Sequence, residues 1–344
     1  MLGSLAIPIV GAPLAGGAST PALAAAVSEA GGLGFVAAGY KAPDAMAADI
    51  AATRELTDKP FGVNVFAVTP TEAEPAVLEA FRGRLGPEAG EPRTDDDGFA
   101  GKVERLLADP VPVVSFTFGC PERELIERLR AAGSAVWVTV CDVAEARTAA
   151  AAGVDALVVQ GFEAGGHRAA FDDGAPGDAG LLALLQLVAA AAPGMPLVAT
   201  GGIATGRGVA AVLAAGAAAA QIGTALMRCP EAGTAEVHRE ALARPGRTAV
   251  TRAFTGRSAR GIVNAFMREH ETGAPHAYPA VHYMTAPLRA RAKETGDADA
   301  LHLWAGQAHE LIRDVPAGRL VRELHAEAAA VVAELTERLR PGAD

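Results

Sequence analysis

Short apolar runs alternate with alanine-rich stretches of mixed polarity over the first two-thirds of the chain, and this alternation sets the expected fold. The runs at residues 7–11, 33–37, 61–66, 111–116, 135–140, 155–160, 196–200 and 218–223 are almost continuously apolar and rich in β-branched and aromatic residues. A strand with one face in water alternates polar and apolar positions. These runs do not, so both faces of each are expected to be covered. Between them, residues 21–30, 43–57, 121–132, 143–152, 179–192 and 206–215 carry helical patterns. Strands that alternate with helices in this way, eight strands in all, predict an α/β fold, a (β/α)8 TIM barrel, with a doubly wound open sheet as the alternative.

Two stretches break the alternation. Residues 82–101, RGRLGPEAGEPRTDDDGFAG, are polar, acidic and rich in Gly and Pro, and are expected to form an exposed excursion ahead of the fourth strand. Beyond Pro230 the repeat stops. Residues 248–254 read as an extra strand, and 274–287, with Pro275, Pro279 and Pro287, as a loop. The end reads as a helix with Leu320, Leu324, Val331, Leu335 and Leu339 on one face. The expected division is a barrel over 1–230 and a smaller, mainly helical substrate unit over 231–344, packed across the barrel mouth.

Composition narrows the partners. The 344 residues exceed the roughly 250 of a barrel, leaving room for such an appendage. A net charge of −10 argues against nucleic acid and against an anionic membrane surface, both of which favour basic patches. Cys120, Cys141 and Cys229 are odd in number and in no metal-binding spacing, so reduced thiols and no metal are expected. The N-terminus lacks a basic region ahead of its apolar residues, a poor match to a secretory signal. The longest apolar tract, 197–227, is broken by glycines and Arg207, a poor match to a membrane span. The expected compartment is the cytoplasm, and nothing in the pattern specifies an oligomeric state.

Barrel enzymes work at the C-terminal ends of their strands, so the residues just past each run are the candidates for chemistry. The most telling segment is 154–171, VDALVVQGFEAGGHRAAF, where an apolar strand ends at Gln160 and opens into Gly161, Gly165, Gly166 and then His167. GAPLAGG follows the first strand, with Pro13 and glycines that let backbone approach a flat ligand. Asn64 lies in the third strand, Thr117 at the end of the fourth, Gly201 and Gly202 after the seventh, and Gln221, Gly223 and Thr224 at the eighth. Glycine turns after strands seven and eight make the phosphate site of this fold. With Asn64 and Gln160 near the axis, the set suits a ligand with a phosphate tail and a hydrogen-bonding ring, as in flavin mononucleotide (FMN). A sugar phosphate would use the same phosphate site without needing the amides. Each residue also has a plainer reading. The glycines make turns, Asn64 bonds backbone, His167 sits in an exposed loop, and Cys120 fills space. The other histidines, His270, His276 and His282 among them, are surface or loop residues, and Tyr278, Tyr283 and Trp304, candidates to face a substrate from the C-terminal unit, read more plainly as packing.

The ordered motifs GAPLAGG, AAAVSEAGGLGFVAAGY, FGVN, SFTFG, ALVVQGFEAGGH, TGGIATG and AAAQIGT, followed by TAVTRAFTGRSARG, YPAVHYMTAPLR and WAGQ, resemble the nitronate monooxygenase family, the 2-nitropropane dioxygenases. The middle motifs are similar to those of FMN-dependent enoyl-acyl-carrier-protein reductases and NADH:quinone reductases; the later ones favour nitronate monooxygenase. The resemblance implies an FMN-bearing barrel that oxidises alkyl nitronates or nitroalkanes with O2 to carbonyl compounds and nitrite, without a metal. It implies that Ala12, Pro13 and Leu14 line the isoalloxazine ring and that Asn64 and Gln160 hydrogen-bond near it. Gly165, Gly166, Gly201, Gly202, Gln221, Gly223 and Thr224 would hold the ribityl phosphate. Members of the family carry a histidine in the fourth-strand motif, FHFG, proposed to take the α-proton of a nitroalkane; this chain has Thr117 there. A threonine hydroxyl is no proton acceptor near neutral pH. Either His167 is the base, or the substrates are nitronates that are already anionic. Thr117 and Tyr278 are the substrate-side candidates. The rival functions are an FMN-dependent NAD(P)H reductase of an enoyl thioester or quinone, and a flavin-free barrel acting as an isomerase or binding protein.

Overall fold

The computed structural model describes residues 2–67 and 70–340; residues 1 and 344, the outer limits of the two expected units, lie outside them. Among the described residues the strands are β1 (Ile9–Gly11), β2 (Gly34–Ala37), β3 (Phe61–Phe66), β4 (Val113–Thr117), β5 (Ala135–Val140), β6 (Ala156–Gln160), β7 (Gly166–His167), β8 (Leu197–Thr200), β9 (Ala219–Ile222), β10 (Thr248–Thr251) and β11 (Ala259–Ile262). Eight of them run parallel in the order β1-β9-β8-β6-β5-β4-β3-β2. The ends of this sheet meet, with Gly11 N donating to Leu33 O at 2.9 Å and Leu33 N to Ile9 O at 3.1 Å. The sheet is therefore a closed (β/α)8 barrel, and closure leaves no edge for another chain to pair with.

All eight expected barrel strands are present, with ends moved by no more than a few residues. Their continuous apolar runs are explained by two packed layers. Val10, Phe35, Val113, Trp137, Val158 and Val198 fill the barrel interior, with the Phe35 and Trp137 rings 5.7 Å apart. The opposite faces of the strands pack outward against the surrounding helices.

The differences from expectation cluster where prolines and charges obscure helical periodicity. Helices Pro75–Leu85 and Phe99–Ala108 stand between β3 and β4, so the excursion shrinks to 86–98. It is mostly exposed, but Asp97 turns inward. Its carboxylate accepts the Tyr40 N–H at 2.9 Å and pairs with the buried Lys102 at 2.6 Å. The expected loop at 274–287 forms only over 274–279; from Ala280 the chain is helix Ala280–Thr295. Pro279 sits at its N-cap, where an N–H is not needed, and Pro287 lies inside it. Beside that break the excursion's Gly90 donates to Met284 O at 2.8 Å.

The expected strand at 248–254 forms as β10, and its partners were not visible in the sequence. β10 pairs with β11, and β11 pairs with β7, which belongs to the loop after β6. The last helix, Ala317–Arg338, returns to the barrel and packs against helices Pro21–Glu29 and Gly206–Ala214. Gly206 permits that close approach, since a Cβ there would stand 2.2 Å from Glu327 Cβ. Leu320 and Leu324 are buried in this contact, whereas Leu335 and Leu339 lie past its end and are exposed.

The barrel wall has little tolerance for added atoms. A Cβ on Gly34 would come within 1.9 Å of Ala24 O, a backbone atom that cannot move aside. Gly34→Ala is expected to lower the unfolding free energy by about 3 kcal/mol or more, measured by chemical denaturation. Gly83 is the contrast. It lies in helix Pro75–Leu85 with nothing near its Cβ position, so Gly83→Ala should stabilise by roughly 0.5–1 kcal/mol.

Candidate functional site

A cavity of about 320 Å3 opens at the C-terminal ends of the barrel strands. Most of its floor comes from strand ends. Ala12, Pro13 and Leu14 come from the turn after β1, Asn64 from β3, Thr117 from β4 and Gln160 from β6. Gly165, Gly166 and His167 follow on the next loop, Gly201 and Gly202 after β8, and Gln221, Gly223 and Thr224 at the end of β9. Residues scattered over two hundred positions thus face one space because parallel strands deliver every C-terminus to one rim. Tyr278 is not part of that lining. It is buried behind it, its hydroxyl 3.3 Å from that of Tyr40 and its ring packed near His167 and Phe118.

The amides have different commitments. Asn64 Nδ2 donates to Ser115 Oγ at 2.9 Å and to Thr117 Oγ1 at 3.0 Å, while its Oδ1 accepts nothing from the described residues. Gln221 forms no side-chain hydrogen bond with the described residues. Both ends of Gln160 are taken: Nε2 donates to His167 O at 3.1 Å, and Oε1 accepts from Ala169 N at 3.0 Å and from Cys141 Sγ at 3.3 Å. Gln160 therefore holds the loop that carries His167, while Asn64 Oδ1 and Gln221 are left to meet a ligand.

His167 is fixed on both sides. It lies in β7 opposite Ala259, and its Nε2 is 2.9 Å from Thr255 Oγ1. Thr255 has one hydroxyl proton, and the carbonyl of Arg257, 3.2 Å away, can only accept it. When that proton goes to the carbonyl, Thr255 accepts from His167 and the ring proton sits on Nε2 with the lone pair on Nδ1; when it goes to His167, the tautomer is reversed. Phe118, Tyr278 and Trp304 surround the imidazole at centroid distances of 5.8, 5.9 and 5.5 Å. Burial first, then the positive charges of Arg257 and Arg289, push its pKa down to about 3.

Those charges belong to a group of buried arginines met largely by backbone carbonyls. Arg168, fully buried, donates to Gly161 O at 2.7 Å and to Gln160 O at 3.4 Å, and reaches Pro176 O. Arg257 donates to the carbonyls of Arg168 and Ala170 and lies 4.1 Å over the Phe118 ring. Arg260 donates to Phe162 O at 2.9 Å. A buried carboxylate, Asp173, accepts from Arg252 Nε at 3.0 Å and Ser258 N at 3.1 Å.

The lining also includes Trp304 and five polar residues that sequence reasoning did not select: Tyr40, His282, Arg289, His302 and His309. Tyr40 stands just past β2, where the strand-end rule would have found it. His282, Thr285 and Arg289 occupy one face of helix Ala280–Thr295, and the prolines hid that helix. The expectation that the remaining histidines lie on the surface or in loops fails for His238, His270 and His309, which are buried, and for His282, stacked flat on Tyr40 at 4.3 Å. Once the strand-end loops enclose a cavity, the cap residues over it lose water.

The cavity accommodates a phosphate-bearing flat ligand. Gly16 and Gly166 line it, and the space a Cβ would take beside each is empty. Thr224 Oγ1 accepts from Gly306 N at 3.0 Å and keeps its own proton to donate. One turn further, His309 is 1% exposed with neither ring nitrogen partnered among the described residues, which calls for a polar ligand nearby. The start of helix Gly206–Ala214 is less available, because Glu327 Oε2 already accepts its first N–H at 3.0 Å. Among the described residues no group of three or more His, Cys, Asp or Glu stands where it could hold a metal ion, and no helix is long and apolar enough to cross a membrane.

Comparison with known proteins places this arrangement. The family model described as nitronate monooxygenase matches residues 2–327. A nitronate monooxygenase of Pseudomonas aeruginosa is 43% identical over 335 residues, covering 92% of this chain and 95% of that one. A nitroalkane oxidase from Streptomyces ansochromogenes superposes with a TM-score of 0.93 at 50% identity, covering 97% of this chain and 99% of its own. FabK from Thermotoga maritima superposes with a TM-score of 0.79 at 30% identity, covering 98% and 97%.

A depressed histidine pKa ties stability to pH. His167 is held at about 3 against an ordinary 6.5, so the folded state favours the neutral ring. The stabilisation is complete above pH 6.5 and is lost as pH falls toward 3. Melting temperature should therefore fall on acidification from pH 7.5 to 5.0, and fall less steeply in His167→Asn. Identical pH dependence in the two proteins would show that the ring is not held neutral.

Proposed function

The chain belongs to the nitronate monooxygenase family, and from that premise we propose that it binds FMN in the barrel-mouth cavity and oxidises alkyl nitronates or nitroalkanes with O2 to a carbonyl compound and nitrite. The observation that carries this reading is the single cavity in which uncommitted ring-binding groups, a glycine-walled phosphate end and the imidazole of His167 share one space. Ala12, Pro13 and Leu14 would lie along the isoalloxazine, with Asn64 Oδ1 and Gln221 at its polar edge. Gly165, Gly166, Gly201, Gly202, Gly223 and Thr224 would hold the ribityl phosphate, with Gln160 fixing the loop between. FMN, when bound, supplies the electron acceptor for the substrate and the reduced form that O2 reoxidises. Residues of the chain orient the substrate, exclude water and govern the proton.

The proton is where this chain differs from the pattern with a histidine on the fourth strand. Thr117 is bonded to Asn64, and we assign the acceptor role to His167, the histidine of the loop after β6, among the imidazoles that line the cavity. Proton transfer is efficient when the acceptor pKa lies near the working pH. At about 3, His167 stands far below it, which makes it a weak acceptor for the α-proton of a neutral nitroalkane. The positive charges that lower its pKa favour an anion. The site is therefore suited to substrates that arrive as nitronates. A cytoplasmic setting accords with the thiols of Cys120, Cys141 and Cys229, all unpaired.

The purified protein should be yellow and release FMN on denaturation. It should consume O2 with a pre-ionised alkyl nitronate, without NAD(P)H, and form nitrite. Turnover of the same compound supplied as neutral nitroalkane should be slower by roughly a hundredfold or more, the size of a missing general base. On nitronate, His167→Asn should keep kcat within about threefold, because no proton remains to be taken. A colourless protein that cannot take up FMN would sink the flavoenzyme reading. Rapid anaerobic bleaching by NADH with no nitronate-driven O2 uptake would point to a reductase instead.

A further inference from the structure

In a chain of net charge −10, Arg289 is the one formally charged side chain among the described residues that line the cavity. It projects from helix Ala280–Thr295 on the same face as His282 and Thr285. Its Nε donates to Thr285 Oγ1 at 3.1 Å, and its Nη2 donates to His282 O at 2.8 Å and lies 3.2 Å from His282 Nδ1. Nη1 makes no hydrogen bond with the described residues, and none of their carboxylates lies within ion-pair distance of the guanidinium. Asp97, whose charge acts on Tyr40, is committed to Lys102 and to the Tyr40 N–H.

The contact with His282 fixes a second donor. A guanidinium has no lone pair to offer, so His282 Nδ1 is the acceptor and the ring proton of the neutral imidazole sits on Nε2. Stacking on Tyr40, with the planes 2° apart, sets the direction of that N–H. Tyr278 in turn buttresses Tyr40 through its hydroxyl. The cap thus presents two donors, Arg289 Nη1 and His282 Nε2, with no acceptor among the described residues. A desolvated cation in this state is costly unless an anion completes it.

We propose that Arg289 and His282 form the receptor for the two oxygens of the substrate's nitronate group, making Arg289 the residue that selects the anionic form. The proposal rests on the nitronate reading above and adds the group that recognises the anion. A planar guanidinium edge and a fixed imidazole N–H match a flat group with two oxygens, and a charge-assisted pair of this kind is stronger than neutral bonds. Arg289 lies close enough for its charge to act on His167, so the bound oxygens would sit on the His167 side of the cavity.

Nitrate, a planar and unreactive anion, is the probe. It is titrated into the flavin-loaded full-length protein, with binding read by calorimetry and by perturbation of the flavin spectrum. Arg289→Met should weaken nitrate binding roughly ten- to a hundredfold and raise KM for ethylnitronate by a similar factor. Its flavin spectrum should be unchanged and its kcat within about threefold of wild type. Arg289→Lys keeps the charge but loses the fork, and should fall between the two. If neither variant binds nitrate more weakly than wild type, the proposal is overturned. It is also overturned if KM rises only for nitronates bearing a separate carboxylate, because Arg289 would then hold a different group. Nitronate turnover by wild type is scored on its own. If it is absent while Arg289→Met still loses nitrate binding, the anion receptor stands and the reaction assignment falls.

Discussion

A guanidinium taken out of water needs every N–H met, and Arg168 meets most of its own with main-chain oxygens. Its donors reach the carbonyls of Gln160, Gly161 and Pro176, so the chain from 160 to 176 has to wrap around it. The wrap continues outward, because Arg257 bonds the carbonyls of Arg168 and Ala170 and lies against Phe118. Phe118 has a φ of 77°, an uncommon backbone conformation for a residue with a Cβ, and its neighbours must hold it there. The end of β4, the loop after β6 and the cap are thereby locked into one arrangement. Removing one partner from such a set leaves a buried charge unmet, which costs about 3–5 kcal/mol.

This solution has an electrostatic by-product. Cations satisfied by carbonyls keep their net charge, since a dipole neutralises nothing. The region around His167 is consequently positive within an acidic protein. A weak base and an attraction for anions are two results of one arrangement. The chain's negative exterior and positive interior also separate solubility from recognition.

The barrel was legible because a strand buried on both faces writes its environment directly into its sequence. No knowledge of distant partners is needed to see it. Candidate residues at strand ends were legible for the same reason, as Asn64, Gln160, His167 and Thr224 reach the cavity from four different strands or their loops. What each side chain does there was less legible. Gln160 looks like a ligand-facing amide in sequence, yet it spends both ends on its own loop, and only coordinates show which partners an amide has chosen. Tyr278, expected on the substrate side, stands one layer back from the cavity, behind Tyr40. Helix Ala280–Thr295 was hidden by two prolines, one harmless at the cap position and one tolerated inside, and His282 and Arg289 were hidden with it. Strand β7 is only two residues long, far below any periodicity signal, and its partner β11 lies about ninety positions away.

That short strand deserves a last consequence. β7 lies in the loop after barrel strand β6 but is registered in the sheet β10-β11-β7, so His167 is held covalently by the barrel and by main-chain hydrogen bonds from the second sheet. Neither sheet can therefore be exchanged alone. A chimera with a borrowed cap would inherit a barrel whose imidazole has lost its rails, and a swinging-lid motion would tear the strand that carries it. Divergence within such a family is expected to proceed by substitution of residues over the barrel mouth in place, not by trading the second sheet whole.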